Sequence, residues 1–394
     1  MKRFKYDIYS KTGVYITTWK DVTNEPQFSA TLNAGFSELK VSLARTAFSY
    51  GEDWDVAFGN ILKLYVMDKE SGDAGQLIYS GYISNYEPNS SETGDKVEVT
   101  FFSFWAQLAQ IMFESAGATQ VTYTAQDPAV ILKDVLDKFV TAGGVLAYAV
   151  GSIDLTGASV TYTFNTNTYQ EVLLKIIELL PIGWYLRVGA DNIVYLKQEA
   201  TTPNHLFTFG KDIQTFNPEK RIENLVNTIY FTGAGTLYNK FVSVISVAQY
   251  GTHSVKITDT RVTDALTAQS MANRLINLLQ DPEVRVVLEL IDSNGAENGY
   301  DIESIAIGQC CKILNVSNKS ENRWDDALAW DINDWDFDPS SAAAILLQIY
   351  KVSYSQNSAI LEIGNKQPDL AKKIENINRS LIDSMTADNP ATPS

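Results

Sequence analysis

The chain has 394 residues, 45% of them apolar and 20% charged, so it carries enough apolar side chain for several packed cores and is not a disordered polymer. A chain this long is expected to divide into two to four domains. A formal net charge of −16 argues against a surface built to grip phosphates, because such binding needs clustered Lys and Arg, and tight basic pairs are confined to Lys2-Arg3, Lys220-Arg221 and Lys372-Lys373.

Residues 1–115 read as a barrel-like β domain. The runs 5–9 and 14–19 flank Lys11-Thr12-Gly13, where Gly supplies the positive φ of a hairpin turn. Further strands are predicted over 38–43, 61–68, 77–82 and 96–102, and Lys40-Val41-Ser42-Leu43 alternates between an inward and an outward face. Loops 70–75 and 89–95, rich in Gly, Ser and acids, are predicted to be exposed. The charged start leads into no apolar h-region, and no apolar run of 18 residues occurs, so we expect synthesis in the cytoplasm and no membrane span.

Residues 116–200 read as a small α+β domain. Asp127-Pro128 sets an N-cap before a Pro at the first helical position, and Ile131, Leu132, Val135, Leu136, Phe139 and Val140 then share one face until Gly143-Gly144. Thr168-Tyr169-Gln170-Glu171 matches a capping box, with Val172, Leu173, Ile176, Ile177 and Leu180 behind it and Pro181 as the stop. A second hairpin is predicted over 184–196, turning at Gly189-Ala190-Asp191-Asn192.

Residues 201–365 return to β texture and read as a second barrel-like domain, interrupted by one helix over 264–280 that packs Ala268, Met271, Ala272, Leu275 and Leu279. Gly233-Ala234-Gly235 follows a strand, but no Gly-Lys-Ser/Thr motif completes a phosphate loop, and a hairpin turn is expected there. The two cysteines, Cys310 and Cys311, are neighbours; they cannot form an unstrained disulfide or supply a four-ligand zinc site, and are expected to be buried in a strand. Residues 366–394 are expected to form a C-terminal helix and a loose tail, with Leu370, Ile374, Ile377 and Leu381 spaced 4, 3 and 4 as a short helical seam.

Catalytic constellations are missing from this sequence. Its two histidines, His205 and His253, sit outside any Gly-x-Ser-x-Gly, His-Glu-x-x-His or Cys-with-His arrangement, so no catalytic residue and no cofactor are predicted. The 47 acids leave a glycosidase pair open, yet they make any chosen pair uninformative. The most unusual segment is 321–339, with seven acids, one Arg and Trp324, Trp330 and Trp335. Asp334-x-Asp336-x-Asp338 is followed by Pro339 where a calcium loop needs Gly, and Ile345 stands where its closing Glu belongs, so no metal is predicted. We expect an exposed loop whose Trp residues dock on a partner or a neighbouring barrel.

The order of elements after Ile222 carries a family resemblance. Asn224-Leu225-Val226-Asn227-Thr228-Ile229-Tyr230-Phe231 leads to Tyr250-Gly251, then to Val262-Thr263-Asp264-Ala265 opening a helix and to the strand Val284-Arg285-Val286-Val287-Leu288-Glu289-Leu290. Ile305-Ala306-Ile307-Gly308-Gln309 and the strand Ala359-Ile360-Leu361-Glu362-Ile363-Gly364 close the set, while Leu64-Tyr65-Val66 and Leu77-Ile78-Tyr79-Ser80-Gly81-Tyr82-Ile83 resemble the first barrel. Together they resemble the tail-hub proteins of long-tailed phages, which are similar to the baseplate hub of contractile phages. The resemblance implies an α+β, mainly β fold with two similar barrels, so that three copies make a ring of near six-fold symmetry. It further implies a structural, non-enzymatic virion protein at the tail tip: a homotrimer meeting the distal tail ring, the C-terminal end of the tape-measure protein and a tail fibre or spike, with DNA passing through without tight binding. Aromatic and acidic loops also suit sugars, so the alternative expectation is a host-surface or carbohydrate-binding tail protein.

Overall fold

The computed structural model describes residues 3–44, 55–67, 75–91, 94–114, 120–165, 167–181, 183–208, 210–292, 299–314, 346–355 and 357–364. The segment 321–339 with Trp324, Trp330 and Trp335 lies outside them, and so does the expected C-terminal helix with Leu370, Ile374, Ile377 and Leu381.

The N-terminal region forms seven strands: β1 (Arg3–Tyr9), β2 (Tyr15–Trp19), β3 (Phe28–Thr31), β4 (Leu39–Leu43), β5 (Ile61–Met67), β6 (Gln76–Ser91) and β7 (Gly94–Ser103). Six of them make one antiparallel sheet in the order β2-β1-β5-β6-β7-β4. Alternation decides what is buried: β4 turns Leu39, Val41 and Leu43 inward and leaves Lys40 exposed. The far edge of β4 is covered by the chain that follows β2. There the Thr23 amide donates to the Ser42 carbonyl at 2.9 Å and the Ala44 amide to the Asp21 carbonyl at 2.8 Å, which closes the sheet around Ile8, Leu62, Leu64, Tyr79, Val99 and Phe101. Tyr79 is fully buried and donates its hydroxyl to the carbonyls of Phe101 and Ser37 at 3.1 and 3.2 Å, so its polar end is satisfied.

The central region follows as β8 (Gln120–Gln126), α1 (Pro128–Thr141), β9 (Val160–Asn165), α2 (Tyr169–Leu179), β10 (Trp184–Val188) and β11 (Val194–Gln198). Both helix starts use the caps that the sequence contains. Asp127 accepts from the Ala129 amide at 2.8 Å ahead of Pro128, and Thr168 and Glu171 exchange both bonds of a capping box. The apolar faces of the two helices meet in one core with the antiparallel β8-β9 pair, whose strands are separated in the chain by α1, and with the β10-β11 hairpin.

The rest of the chain contains β12 (His205–Thr208), β13 (Ile213–Arg221), β14 (Thr228–Thr232), β15 (Tyr238–Val242), α3 (Val244–Tyr250), β16 (Ser254–Thr258), α4 (Ala265–Leu279), β17 (Glu283–Ile291), β18 (Cys310–Leu314), β19 (Leu347–Tyr354) and β20 (Ser358–Gly364). The second large sheet runs β12-β18-β19-β20-β17-β13. Its first and last members are consecutive in the chain, joined by a turn in which the Lys211 and Asp212 amides both approach the Thr208 carbonyl, so this sheet also curls round on itself. Gly233-Ala234-Gly235 lies in the connection of the antiparallel β14-β15 pair. Cys310 and Cys311 are free and buried in β18.

The two large sheets share one plan. In chain order β4, β5, β6 and β7 are arranged β5-β6-β7-β4; β17, β18, β19 and β20 are arranged β18-β19-β20-β17, and all six of these pairings are antiparallel. In both, the strand segment that precedes the set covers the far edge of its first member: residues 21–24 on β4 and β13 on β17. The plan differs on the other side, where β1 lies antiparallel to β5 but β12 lies parallel to β18.

Between β13 and β17 the chain leaves the second sheet. The three-stranded sheet β15-β14-β16 and helix α4 send Ile229, Phe231, Ile257, Ala268, Met271, Ala272 and Ile276 into the same apolar cluster as α1 and α2.

Candidate assembly surfaces

The sequence offers no catalytic cluster, so the surfaces that join parts, and those left open, carry the functional argument. Strand β3 makes the principal internal junction. It leaves the first sheet and pairs antiparallel with β19, Phe28 opposite Tyr354 and Thr31 opposite Lys351. Positions 28, 30 and 32 share one side of the strand by period two, and along that side they reach two cores: Phe28 packs with the first barrel, Ala30 and Leu32 with the second. The Phe28 ring stacks on Tyr354 at 5.1 Å and meets Tyr79 at 5.2 Å. Just beyond β3 the Leu32 amide donates to the Tyr350 carbonyl at 2.8 Å, and Asn33 exchanges two bonds with Leu186, both at 2.9 Å. Asn33 holds φ 58, a left-handed conformation that Asn tolerates better than most residues. Tyr354 Oη donates to the Ile305 carbonyl at 2.9 Å, and Gln76 Nε2 to the Glu303 carbonyl at 3.2 Å. A cleft of about 170 Å³ remains along this junction, lined by residues including Phe36, Ile78, Arg187 and Tyr354. The two barrels are thereby fastened side by side through a shared strand.

A second junction fixes the excursion 228–279 to the helices. Asp259, just beyond β16, lies 2.8 Å from Lys175 Nζ on α2 and 3.0 Å from Arg261 Nε, and Lys175 also pairs with Glu178 at 2.9 Å. Both cations lie 5.2 Å from the centre of the Tyr162 ring on β9. Burial by itself would raise the Asp259 pKa, but Lys175 and Arg261 outweigh it and hold the carboxyl below its ordinary value. Arg274 on α4 is almost wholly buried and donates to the Leu180 carbonyl at 2.6 Å, satisfying the end of α2. Burial lowers its pKa to about 10, so the guanidinium still carries its charge at pH 7.

The two histidines and two cysteines are held by neighbouring groups. His205 Nε2 lies 2.7 Å from Gln309 Oε1, an oxygen that also accepts from the Ala306 amide, so Nε2 carries the proton and Nδ1 accepts from the Tyr300 hydroxyl at 2.7 Å. Its ring stacks on Phe207 in the second core. His253 Nε2 approaches the Tyr250 carbonyl at 3.3 Å. Burial pushes the Cys310 thiol up to about 11 and raises Cys311 as well, so both are protonated at neutral pH, the opposite of an activated thiolate. Among the described residues no group of three or more His, Cys, Asp and Glu is placed to hold a metal ion, and no helix is long and apolar enough to cross a membrane.

The sequence reading overlooked the open surface on the three-stranded sheet. Strand β15 forms one end of that sheet, and among the described residues no strand pairs with its far edge. Its residues alternate between exposed and half-buried, and Tyr238 and Val242 are 59% and 42% exposed. The chain then enters α3 with Val244 and Ile245, at 75% and 82% exposure. On the same face as Tyr238 and Val242, Tyr230 lies in register between Lys240 and Lys256. The run Tyr238-Asn239-Lys240-Phe241-Val242 mixes polar and apolar residues on both faces, so the sequence holds no period-two signal that reveals which face lacks a cover.

No protein-family model matches this sequence, and no curated protein does. Solved structures do match along nearly their whole length. The 43 kDa tail protein of prophage MuSo2 from Shewanella oneidensis aligns over 91% of this chain and 98% of its own, with a TM-score of 0.57 at 10% identity. The tail protein from Neisseria meningitidis MC58 aligns over 92% and 96%, with a TM-score of 0.59 at 8% identity. Prophage tail protein gp18 from Listeria monocytogenes EGD-e aligns over 96% and 99%, with a TM-score of 0.57 at 10% identity. At such identities the likeness is one of fold: this chain has the α+β, mainly β fold of prophage tail proteins.

Proposed function

We propose that the protein is a structural hub of a phage tail tip, in which three copies form a ring that joins the six-fold tail tube to three-fold tip or fibre components. The observation that carries this reading is the repeated four-strand plan, present twice in each chain and fastened through β3. Two similar barrels per chain let three chains present six similar units on the tube side and three equivalent units on the other. The whole-length likeness to tail proteins supports the same placement. The protein acts by assembly and makes no bonds: its histidines and thiols are occupied in packing, and its partners are the distal tail ring, the end of the tape-measure protein and a fibre or spike. The seam Leu370, Ile374, Ile377 and Leu381 then serves as the link to that fibre or spike, and the Trp residues 324, 330 and 335 as docking side chains.

The ring also lines the passage for DNA. Three copies at −16 each bring −48, and a wall without basic clusters lets phosphates slide past. Light scattering of the free protein and of assembled tips tests the reading, with a mass of three chains expected in the tip. A monomeric or two-fold assembly in the particle, or antibody label along fibres or in the capsid, overturns it.

A further inference from the structure

The outer face of β15-β14-β16 combines four properties in one place. Its inner face is fully used, because Ile229 and Phe231 are wholly buried in the central core. On the outer face the middle row is Lys240, Tyr230 and Lys256, with the Lys240 ammonium 5.4 Å from the Tyr230 ring. Apolar Tyr238 and Val242 flank that row on β15, every other position of the face is a Thr or Ser, and none is acidic. Among the described residues no strand covers the edge of β15 beside it, which leaves backbone donors and acceptors for one more strand. A local pair of exposed cations with an apolar rim, on a chain of net charge −16, selects an acidic and aromatic partner.

The chain itself contains a sequence of that chemistry. Asp334-Trp335-Asp336-Phe337-Asp338 alternates carboxylates and rings with period two and holds no Lys or Arg. Laid beside β15 as an added strand, with the carboxylates turned toward Lys240, it directs Trp335 and Phe337 to the side of Phe241, which packs against the central core. We propose that the face and free edge of β15 receive segment 334–338 of a second copy of this chain, so that neighbouring copies are joined by strand addition. This rests on the hub reading, which brings identical chains side by side and presents one such segment per copy.

The test is zero-length carbodiimide cross-linking, which joins an amine to a carboxylate in direct contact, applied to a mixture of ordinary and isotope-labelled full-length chains. Mixed-isotope peptides linking Lys240, on the strand that receives the segment, to Asp334, Asp336 or Asp338 are expected. K240E/K256E removes those links and weakens self-association about tenfold, D334K/D336K/D338K does the same, and mixing the two reversed variants restores both. Because all five positions are charged in the wild-type chain and the Lys pair is exposed, circular dichroism of each variant should match the parent, and a restored mixture excludes misfolding as the cause. Links found only within one chain, or acid-reversed chains that associate as tightly as the parent, overturn the proposal. If the mass of assembled tips remains that of three chains while the links are missing, this contact is wrong and the hub reading stands. Chains that stay single in the tip overturn both.

Discussion

The two barrels follow the same plan and yet differ in self-sufficiency. The first is built from six strands within residues 3–103, closes its own edge with residues 21–24 and takes no strand from elsewhere, the Tyr354 ring being the later side chain that packs against its core. The second is interrupted by the excursion 228–279, and one side of β19 is shared between its own β18 and the borrowed β3. Among the described residues two pairs, Cys310 with Gln348 and Cys311 with Leu347, join β18 to β19, whereas β3 contributes four. Completion of the second barrel therefore depends on a strand made more than 300 positions earlier, and its formation carries the larger loop-closure cost. The difference teaches that a repeated architecture does not make two independent units; here the later copy is finished by the earlier one.

The largest test of this dependence is Ala30→Asp, which drives an unpaired carboxylate into the second core at a cost of about 3–5 kcal/mol. Hydrogen exchange should then show β19 and β20 losing protection while β5 and β6 retain it. Equal loss in both barrels would show one cooperative unit and remove the asymmetry.

Asp259→Asn probes the brace that holds the excursion to α2, and it should cost a comparable or slightly smaller amount, about 3 kcal/mol, because Lys175 is left buried with a weaker partner. The wild-type carboxyl has a native pKa below its ordinary 3.8, so its contribution is present above that value and is lost as pH falls through the lowered native one. Denaturant midpoints recorded from pH 6 down to about pH 3 should therefore fall more steeply for the parent than for the Asn variant. Parallel curves would mean that the brace adds no pH dependence.

Asn33→Ala should cost about 1–2 kcal/mol, since it loses both the bond from the Leu186 amide and the tolerance of Asn for φ 58. Asn33→Gly keeps the backbone conformation and should cost less, about 1 kcal/mol. Thermal unfolding of the pair separates backbone strain at the junction from the hydrogen bond across it; the reverse order of stability would rule out the strain contribution.

The smallest effect is on the surface chemistry of the native state: Cys310 and Cys311 should resist alkylation at pH 8, because both are buried and burial holds both thiols protonated. Cys311 lies in the second core whereas the Cys310 thiol faces Glu199 and Ala200, so it is alkylation of Cys311 that reports opening of the second barrel. Fast labelling in the Ala30→Asp chain and slow labelling in the parent would tie that opening to β3.

Local features were legible in the sequence because their causes are local. Asp127 before Pro128, the Thr168-Glu171 box, the stop at Pro181 and the alternation through 39–43 each act within a few residues, and each forms where it was expected. The four-residue strand β3 and the seven-residue helix α3 were missed, as both are shorter than the periods needed to identify them.

The sequence by itself determined the kinds of elements, their caps and turns, the burial of the cysteines in a strand and a β-rich, acidic chain without basic clusters. Only the tertiary structure decided that residues 228–279 join the central core, that β3 completes the second barrel and that β15 ends its sheet with no further strand beside it among the described residues. The physical reason is that periodicity specifies which face of a strand is apolar, while nothing in the strand itself specifies which core will cover it. Any apolar alternation fits any half-buried sheet position, so pairing is settled by the competition of distant segments for the same edges, and that competition is resolved only in the folded chain.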